Sequence, residues 1–376
     1  MAFSFVELRV GVVRFSRFIG ALKKYERHIS AISMIAGFAS DNYFFGRVDH
    51  PATQFVLFAY IWGAIGSIVL VHFMETRADP DSPLRKFHPL IVAAPQFAFG
   101  GLWSAFLIFY GRSAVFSASW PFLLVMAGIF IGNEVFKKYH SRLVFTCTLL
   151  FFALFSYTIF VVPMFTGTMG QRMFLLSGAI ATMAFVLVIA SLTVIGPQRI
   201  MQSWKGIAAG AVSVLVLLNA SYFTNVLPPL PLALTNAGVY HLVTRDGDVY
   251  RAVGEARPLL TRISLPGSEP VVHINPGESL YLYSAVFAPI KLNTKILHVW
   301  QHFDEAANQW RTQAVVSYPI TGGRGGGYRG YSVKSLPAKG HWRVNIETAD
   351  GRTVGRVAFA VVPVSRTVAS VEQILK

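Results

Sequence analysis

The stretch Ile207-Ala-Ala-Gly-Ala-Val-Ser-Val-Leu-Val-Leu-Leu-Asn-Ala-Ser-Tyr222, followed four residues later by Leu227-Pro-Pro-Leu-Pro-Leu232, divides the chain. The first part is an apolar run without a charged residue, close to the ~20 residues that cross a hydrocarbon core. The second cannot continue a helix, because proline lacks the backbone N–H and its ring clashes with the preceding turn. It reads as a stiff spacer. Everything upstream of the spacer is patterned for long apolar helices, and everything downstream for short strands.

Working upstream, six more apolar runs precede this one: 29–45, 55–73, 90–110, 120–136, 143–165 and 173–195. The first is interrupted by Asp41 and Asn42. Hydrophobic residues make up 53% of the 376 and charged residues 14%, against about 25% charged in ordinary soluble domains. The expectation is a membrane α-helical bundle of about seven spans. Net charge is +15, which invites a nucleic-acid reading, but 17 of the 33 Lys and Arg precede residue 206 and sit mostly in short loops. That distribution is a topology signal and an anionic-lipid signal, so no nucleic acid is expected as partner.

One set of loops is basic, with Arg77, Arg85 and Lys86, then Lys137, Lys138 and Arg142, then Arg199 and Lys205. The alternate loops carry one arginine each, Arg47, Arg112 and Arg172. The positive-inside rule puts the first set in the cytoplasm, together with the basic N-terminus. Seven spans then leave the C-terminal part outside, in the periplasm of a bacterial inner membrane. Residues 1–28 place Phe5, Leu8, Val12, Phe15, Ile19 and Leu22 at helical spacing opposite most of the basic residues, as an amphipathic interfacial helix would. No short apolar core ending in a small-residue site marks a cleavable signal peptide. Cys147 is the only cysteine, so no intrachain disulfide is expected.

The domain plan is therefore 1–28 basic amphipathic segment, 29–226 bundle and 227–376 extracytoplasmic domain. In the last, strand signals fall at 279–287, 295–303, 313–320, 341–347 and 353–362, with turns at Asn275-Pro-Gly-Glu278 and Asp350-Gly351. No strong helix pattern interrupts them, which predicts an antiparallel β-sandwich.

Several runs of this domain, Leu297-His-Val-Trp300, Tyr328-Arg-Gly-Tyr-Ser332, Gly340-His-Trp-Arg-Val344 and Asp350-Gly351-Arg352, resemble a bacterial domain of unknown function at the C-terminus of membrane proteins. The runs Gly37-Phe-Ala-Ser-Asp41, Gly46-Arg-Val-Asp49 and Phe99-Gly-Gly-Leu-Trp-Ser104 are similar to the multi-span half of such proteins. The resemblance implies an immunoglobulin-like sandwich and no established activity.

Two constellations stand out. Asp41, Arg47, Asp49 and Arg112, with Asn42, Gln54 and Tyr110, fall near the outer ends of the first three spans. Ionisable groups at membrane depth are expensive and often functional. The set reads as an outward polar pocket for a lipid headgroup or small solute, or as ion pairs that lock three helices. The second is Thr321-Gly-Gly-Arg-Gly-Gly-Gly-Tyr-Arg-Gly-Tyr331. It lacks the Gly-Lys-Ser/Thr of a phosphate loop. Arg324, Tyr328, Arg329 and Tyr331 offer charge and stacking to a sugar, a phosphate or a protein edge; the alternative is a long hairpin loop. Small residues Gly206, Ala208, Ala209, Gly210 and Ala211 would permit close helix contact in a homo-oligomer.

No cofactor is expected, and no metal: His298 and His302 on one strand stand about 13 Å apart, too far to share an ion. No Gly-x-Ser-x-Gly elbow or other nucleophile–base pair is visible. Three function classes fit. The first is a membrane-anchored binding or scaffold module for an envelope protein, glycan or other envelope component. The second is a transporter or lipid-handling protein built around Asp41. The third is a membrane enzyme using Asp41 and Asp49 on a lipid-linked substrate.

Overall fold

The computed structural model describes residues 35–77, 88–113, 116–135, 142–255, 269–290, 292–365 and 368–375. The expected interfacial helix over 1–28 and the basic residues Arg85, Lys86, Lys137 and Lys138 lie outside this set.

Seven helices stand where seven apolar runs were read: α1 (35–44), α2 (Pro51–Thr76), α3 (His88–Ser113), α4 (Phe116–Val135), α5 (Leu143–Thr166), α6 (Gln171–Ile195) and α7 (Pro197–Phe223). Five of them, α2, α3 from Ala93, α5, α6 and α7, are long and apolar enough to cross a membrane, and α4 holds a shorter apolar stretch, Ser119–Asn133.

The most enclosed helix is α5, whose Phe151, Phe155 and Phe160 are fully buried. Small residues on its neighbours let it in. A side chain at Gly178 of α6 would strike the Phe155 ring, and at Gly206 and Gly210 of α7 would strike Val144 and Thr148. Gly206 and Gly210 of the small run on α7 therefore lie against α5, while Ala208 and Ala209 stay exposed. In α3, Pro95 interrupts the hydrogen-bond ladder, and Asn133 of α4 donates to the neighbouring Gln96 carbonyl at 3.1 Å. The Asn133 amide fits there because residue 100 is glycine.

Eleven strands follow: β1 (Ala233–Tyr240), β2 (Leu242–Asp246), β3 (Val249–Glu255), β4 (Val271–Ile274), β5 (Ser279–Phe287), β6 (Asn293–Asp304), β7 (Gln309–Thr321), β8 (Tyr328–Ser335), β9 (Gly340–Thr348), β10 (Thr353–Pro363) and β11 (Ser370–Leu375). They form sheets of order β1-β5-β8, β4-β10-β9-β6-β7 and β11-β3-β2. All pairings are antiparallel except β4 with β10. Leu280 and Leu282 of the first sheet share a core with Ile296, Trp300, Val344, Ile346 and Phe359 of the second. The small third sheet closes a tyrosine cluster, Tyr240, Tyr250, Tyr281 and Tyr283, on the outer face of the first. Trp300 and Trp342 are core residues.

The strands seat on the helical end that carries Arg47, Arg112 and Arg172. Residues 227–232 are buried throughout, so the prolines wedge the joint rather than space it. Asn293 donates to the carbonyl of Gly167 at 3.3 Å. Arg352, after the β9–β10 turn, is 7% exposed, lies 4.0 Å over the Tyr222 ring and donates to the Leu227 carbonyl at 2.5 Å. At the opposite end of the bundle, Arg77 donates to the carbonyls of Ile195 and Val194 at 2.6 and 2.9 Å, and Arg199 pairs with Glu75.

Candidate functional site

The short loop 45–50 joins α1 to α2 at the joint. Pro51 fits the first turn of α2, where no N–H is needed. Within the loop, Arg47 donates from Nε and Nη2 to the two carboxylate oxygens of Asp49, at 2.9 and 2.8 Å. This bidentate pair holds the Arg47 guanidinium above its usual pKa. Asp49 is nearly enclosed, its side chain 4% exposed, and also accepts the backbone N–H of Ile290 at 3.3 Å. Arg112, at the end of α3, donates to the carbonyls of Phe45, Gly46 and Asn42 at 2.5, 2.7 and 2.8 Å, and to Asn42 Oδ1 at 3.0 Å. It caps the last turn of α1, where orphan carbonyls and the negative end of the helix dipole favour a cation. These partners are neutral, so they leave its charge unneutralised.

Arg47 and Arg112 line one cleft of about 360 Å³ between the bundle and the strands. Ser113 and Thr235 add hydroxyls; Val48, Phe109, Leu230, Leu234 and Phe287 make the apolar walls. The Arg47 guanidinium lies 5.3 Å from the Phe287 ring centre. Gly325 closes the rim, so near that a Cβ there would stand 3.1 Å from Arg47 Nη1. The structure thus brings together two features far apart in sequence, the Arg47–Asp49 loop and the glycine run. Asp41 does not line this cleft. Beyond the ion pair lies a second opening of about 380 Å³, lined by Asp49, Gln54, Phe55, Phe58, Tyr157, Met164, Phe165 and Ile290.

The glycine run is pinned. Gly322 donates to the Leu292 carbonyl at 2.9 Å, Gly323 to Ala288 at 3.0 Å, and Gly327 to Arg324 at 3.0 Å. Thr235 Oγ1 bonds the Gly326 carbonyl at 3.1 Å. A side chain at Gly322 would collide with the Pro289 carbonyl, and Gly323 and Gly327 have φ of +101° and +85°, which explains the residue type. The four side chains read as one group gather around Asp248 and Tyr250, with Arg324 Nη1 3.8 Å from the Asp248 carboxylate. Arg324 is 58% exposed and lies 5.7 Å from the Tyr328 ring centre. Arg329 donates to the Asp248 carbonyl at 3.2 Å, and Tyr331 packs against Tyr250 and Tyr281 under the third sheet.

A polar knot missed in the sequence lies between the two large sheets. His298 Nε2 is 2.8 Å from Ser284 Oγ and 3.1 Å from the Tyr318 hydroxyl, and Nδ1 is 2.9 Å from Ser332 Oγ. Trp300 Nε1 donates to the same Ser332 oxygen at 2.9 Å. His298 and Ser284 are both 0% exposed. Burial pulls the imidazole down to about 3, so it is neutral at physiological pH. The Ser–His contact has the spacing of a nucleophile and its base, but it is sealed from any substrate. His302 bonds instead to the Lys339 carbonyl at 3.0 Å. Among the described residues no group of three or more His, Cys, Asp or Glu is placed to hold a metal ion.

Sequence reasoning missed Thr235, Ser113, Phe287 and Arg352. The first three belong to strand or helix ends with no local signature. Arg352 follows the readable turn Asp350-Gly351, but only the seating of that turn on α7 gives it a role.

Residues 293–361, from β6 to β10, match a family described as a protein of unknown function, DUF2914. This fits the resemblance noted above. No curated protein matches the chain. A β-glucosidase from Listeria innocua is 12% identical with a TM-score of 0.18, over 31% of this chain and 17% of that one. The Pseudomonas fluorescens alkylpurine DNA glycosylase AlkC, bound to DNA containing an abasic site analog, is 7% identical with a TM-score of 0.19, over 81% and 96%. This chain spans 17% of the length of the β-glucosidase. Similarities this low carry no argument about fold or activity.

Proposed function

We propose that this chain is a membrane-anchored module that binds an envelope component or partner protein on the outer face of a bacterial inner membrane, with the joint cleft as its ligand site. The observation that carries the reading is the cleft itself, where Arg112 has only neutral partners among the described residues and Arg47 stands beside it, between apolar walls. Such a site favours a ligand with an anionic group and an apolar part.

The proposed topology has seven spans, a cytoplasmic N-terminus and a periplasmic C-terminal domain. In support, Arg77, Arg142 and Arg199 lie at the end of the bundle away from the strands. An immunoglobulin-like sandwich is supported by strand order: three strands, β1-β5-β8, face five, β4-β10-β9-β6-β7, with an early strand running parallel to a late one at the edge. On this view β2, β3 and β11 are an addition to the sandwich.

Gentle extraction from native membranes followed by mass spectrometry tests the reading. The wild-type protein is expected to retain an anionic envelope component or partner. The paired substitution Arg47→Gln with Asp49→Asn should reduce retention about tenfold, the worth of a charge-assisted hydrogen bond. Loss on Arg324→Ala with Arg329→Ala, and none on the Arg47/Asp49 pair, would move the site from the joint to the outer loop.

A further inference from the structure

The second opening faces sideways, between α2 and α5. Phe55 is 72% exposed, Phe58 52%, Phe165 82% and Ile290 58%. On a face in water such a patch would be costly. On the flank of helices apolar enough to cross a membrane it meets hydrocarbon. Its inner end turns polar: Tyr157 donates to Gln54 Oε1 at 3.3 Å, Gln54 donates to the Val48 carbonyl at 2.5 Å, and behind them lies the Asp49 carboxylate. Asp49 is bound to Arg47, which lines the joint cleft. One ion pair therefore separates an apolar groove open to lipid from a cleft that carries the Arg112 charge.

We infer that the ligand is a membrane lipid with an anionic phosphate headgroup, its acyl chain in the α2–α5 groove and its headgroup over the Arg47–Asp49 pair toward Arg112. The inference rests on the joint cleft being the ligand site. A water-soluble ligand would have no use for the lateral groove, and a neutral lipid would have none for Arg112. The chemistry is shared by phosphatidylglycerol and by lipid-linked phosphates, which the lipid supplied will distinguish.

The test uses the full chain in nanodiscs containing a lipid with a photoreactive apolar chain, offered as phosphatidylglycerol, as a long-chain isoprenyl phosphate or as phosphatidylcholine, with peptide mapping of the adducts. Labelling is expected on Phe55, Phe58, Met164, Phe165 or Ile290, in clear excess over Met183 and Leu187 on the exposed side of α6. Phosphatidylglycerol should label about tenfold more than phosphatidylcholine, the ratio set by one charge-assisted contact. Ile290→Trp, which fills the groove, should abolish it; excess unlabelled phosphatidylglycerol makes the same test without a variant. Equal labelling of all lipid-facing helices, or by phosphatidylcholine and the anionic lipids, overturns the inference. Retention of an anionic component in the extraction experiment together with even labelling leaves the joint cleft standing and removes only the lipid.

Discussion

At the scale of the residue, His298 has hydroxyls on both nitrogens and no carboxylate bonded to either. A proton there would be buried without an opposite charge. Because its folded pKa is about 3 against about 6.5 in an unfolded chain, the unfolded state takes up the proton first as pH falls. The stability this histidine contributes is present above about 6.5 and is lost toward 3, by up to about 1.4 kcal/mol per pH unit. Resistance of the full chain to unfolding in detergent should therefore weaken from pH 7 to 5. His298→Asn should flatten that slope while lowering stability at pH 7 by about 1–3 kcal/mol, because its hydroxyl partners are left short of bonds. An unchanged slope would remove His298 as its cause.

At the scale of the element, α7 is long and apolar enough to cross a membrane, and for such a helix close packing rather than apolar burial decides its place. Gly206 and Gly210 stand four residues apart on α7 and both face α5. Gly206→Leu should force the two helices apart and cost about 1–3 kcal/mol, seen as a lower melting temperature in detergent. Val212→Leu, on the 57% exposed side, should leave it unchanged. If Gly206→Leu instead alters only the oligomeric state, the α5–α7 contact is not what the glycine serves.

At the scale of the molecule, the strands are seated on the bundle by a few polar contacts and a buried proline segment. Burial pulls the Arg352 guanidinium below its usual pKa, and its Nε has no partner among the described residues. Its stacking on Tyr222 and its bond to Leu227 tie the β9–β10 turn to the end of α7. Arg352→Ala should speed amide exchange over 227–232 and loosen the joint cleft, with the sheet core still protected. Unchanged exchange would mean that Leu230, Leu232 and the β5–β6 loop suffice to hold the seat.

The sequence by itself determined the apolar helices and five of the eleven described strands. Apolar runs placed all seven helices, five of them long and apolar enough to cross a membrane, where a backbone must bond within its own segment. Alternation placed β5, β6, β7, β9 and β10, because a half-buried strand shows its period. It did not reveal β1, β2, β3, β4, β8 or β11, of which β2 and β11 lie mostly exposed and β4 is only four residues long, nor the sealed knot around His298. Only the tertiary structure decided that the prolines after α7 are a wedge, that Gly206 and Gly210 of α7 meet α5, and that Gly325 meets Arg47. Each depends on contacts between segments far apart in the chain, and local pattern carries no record of which surfaces will meet.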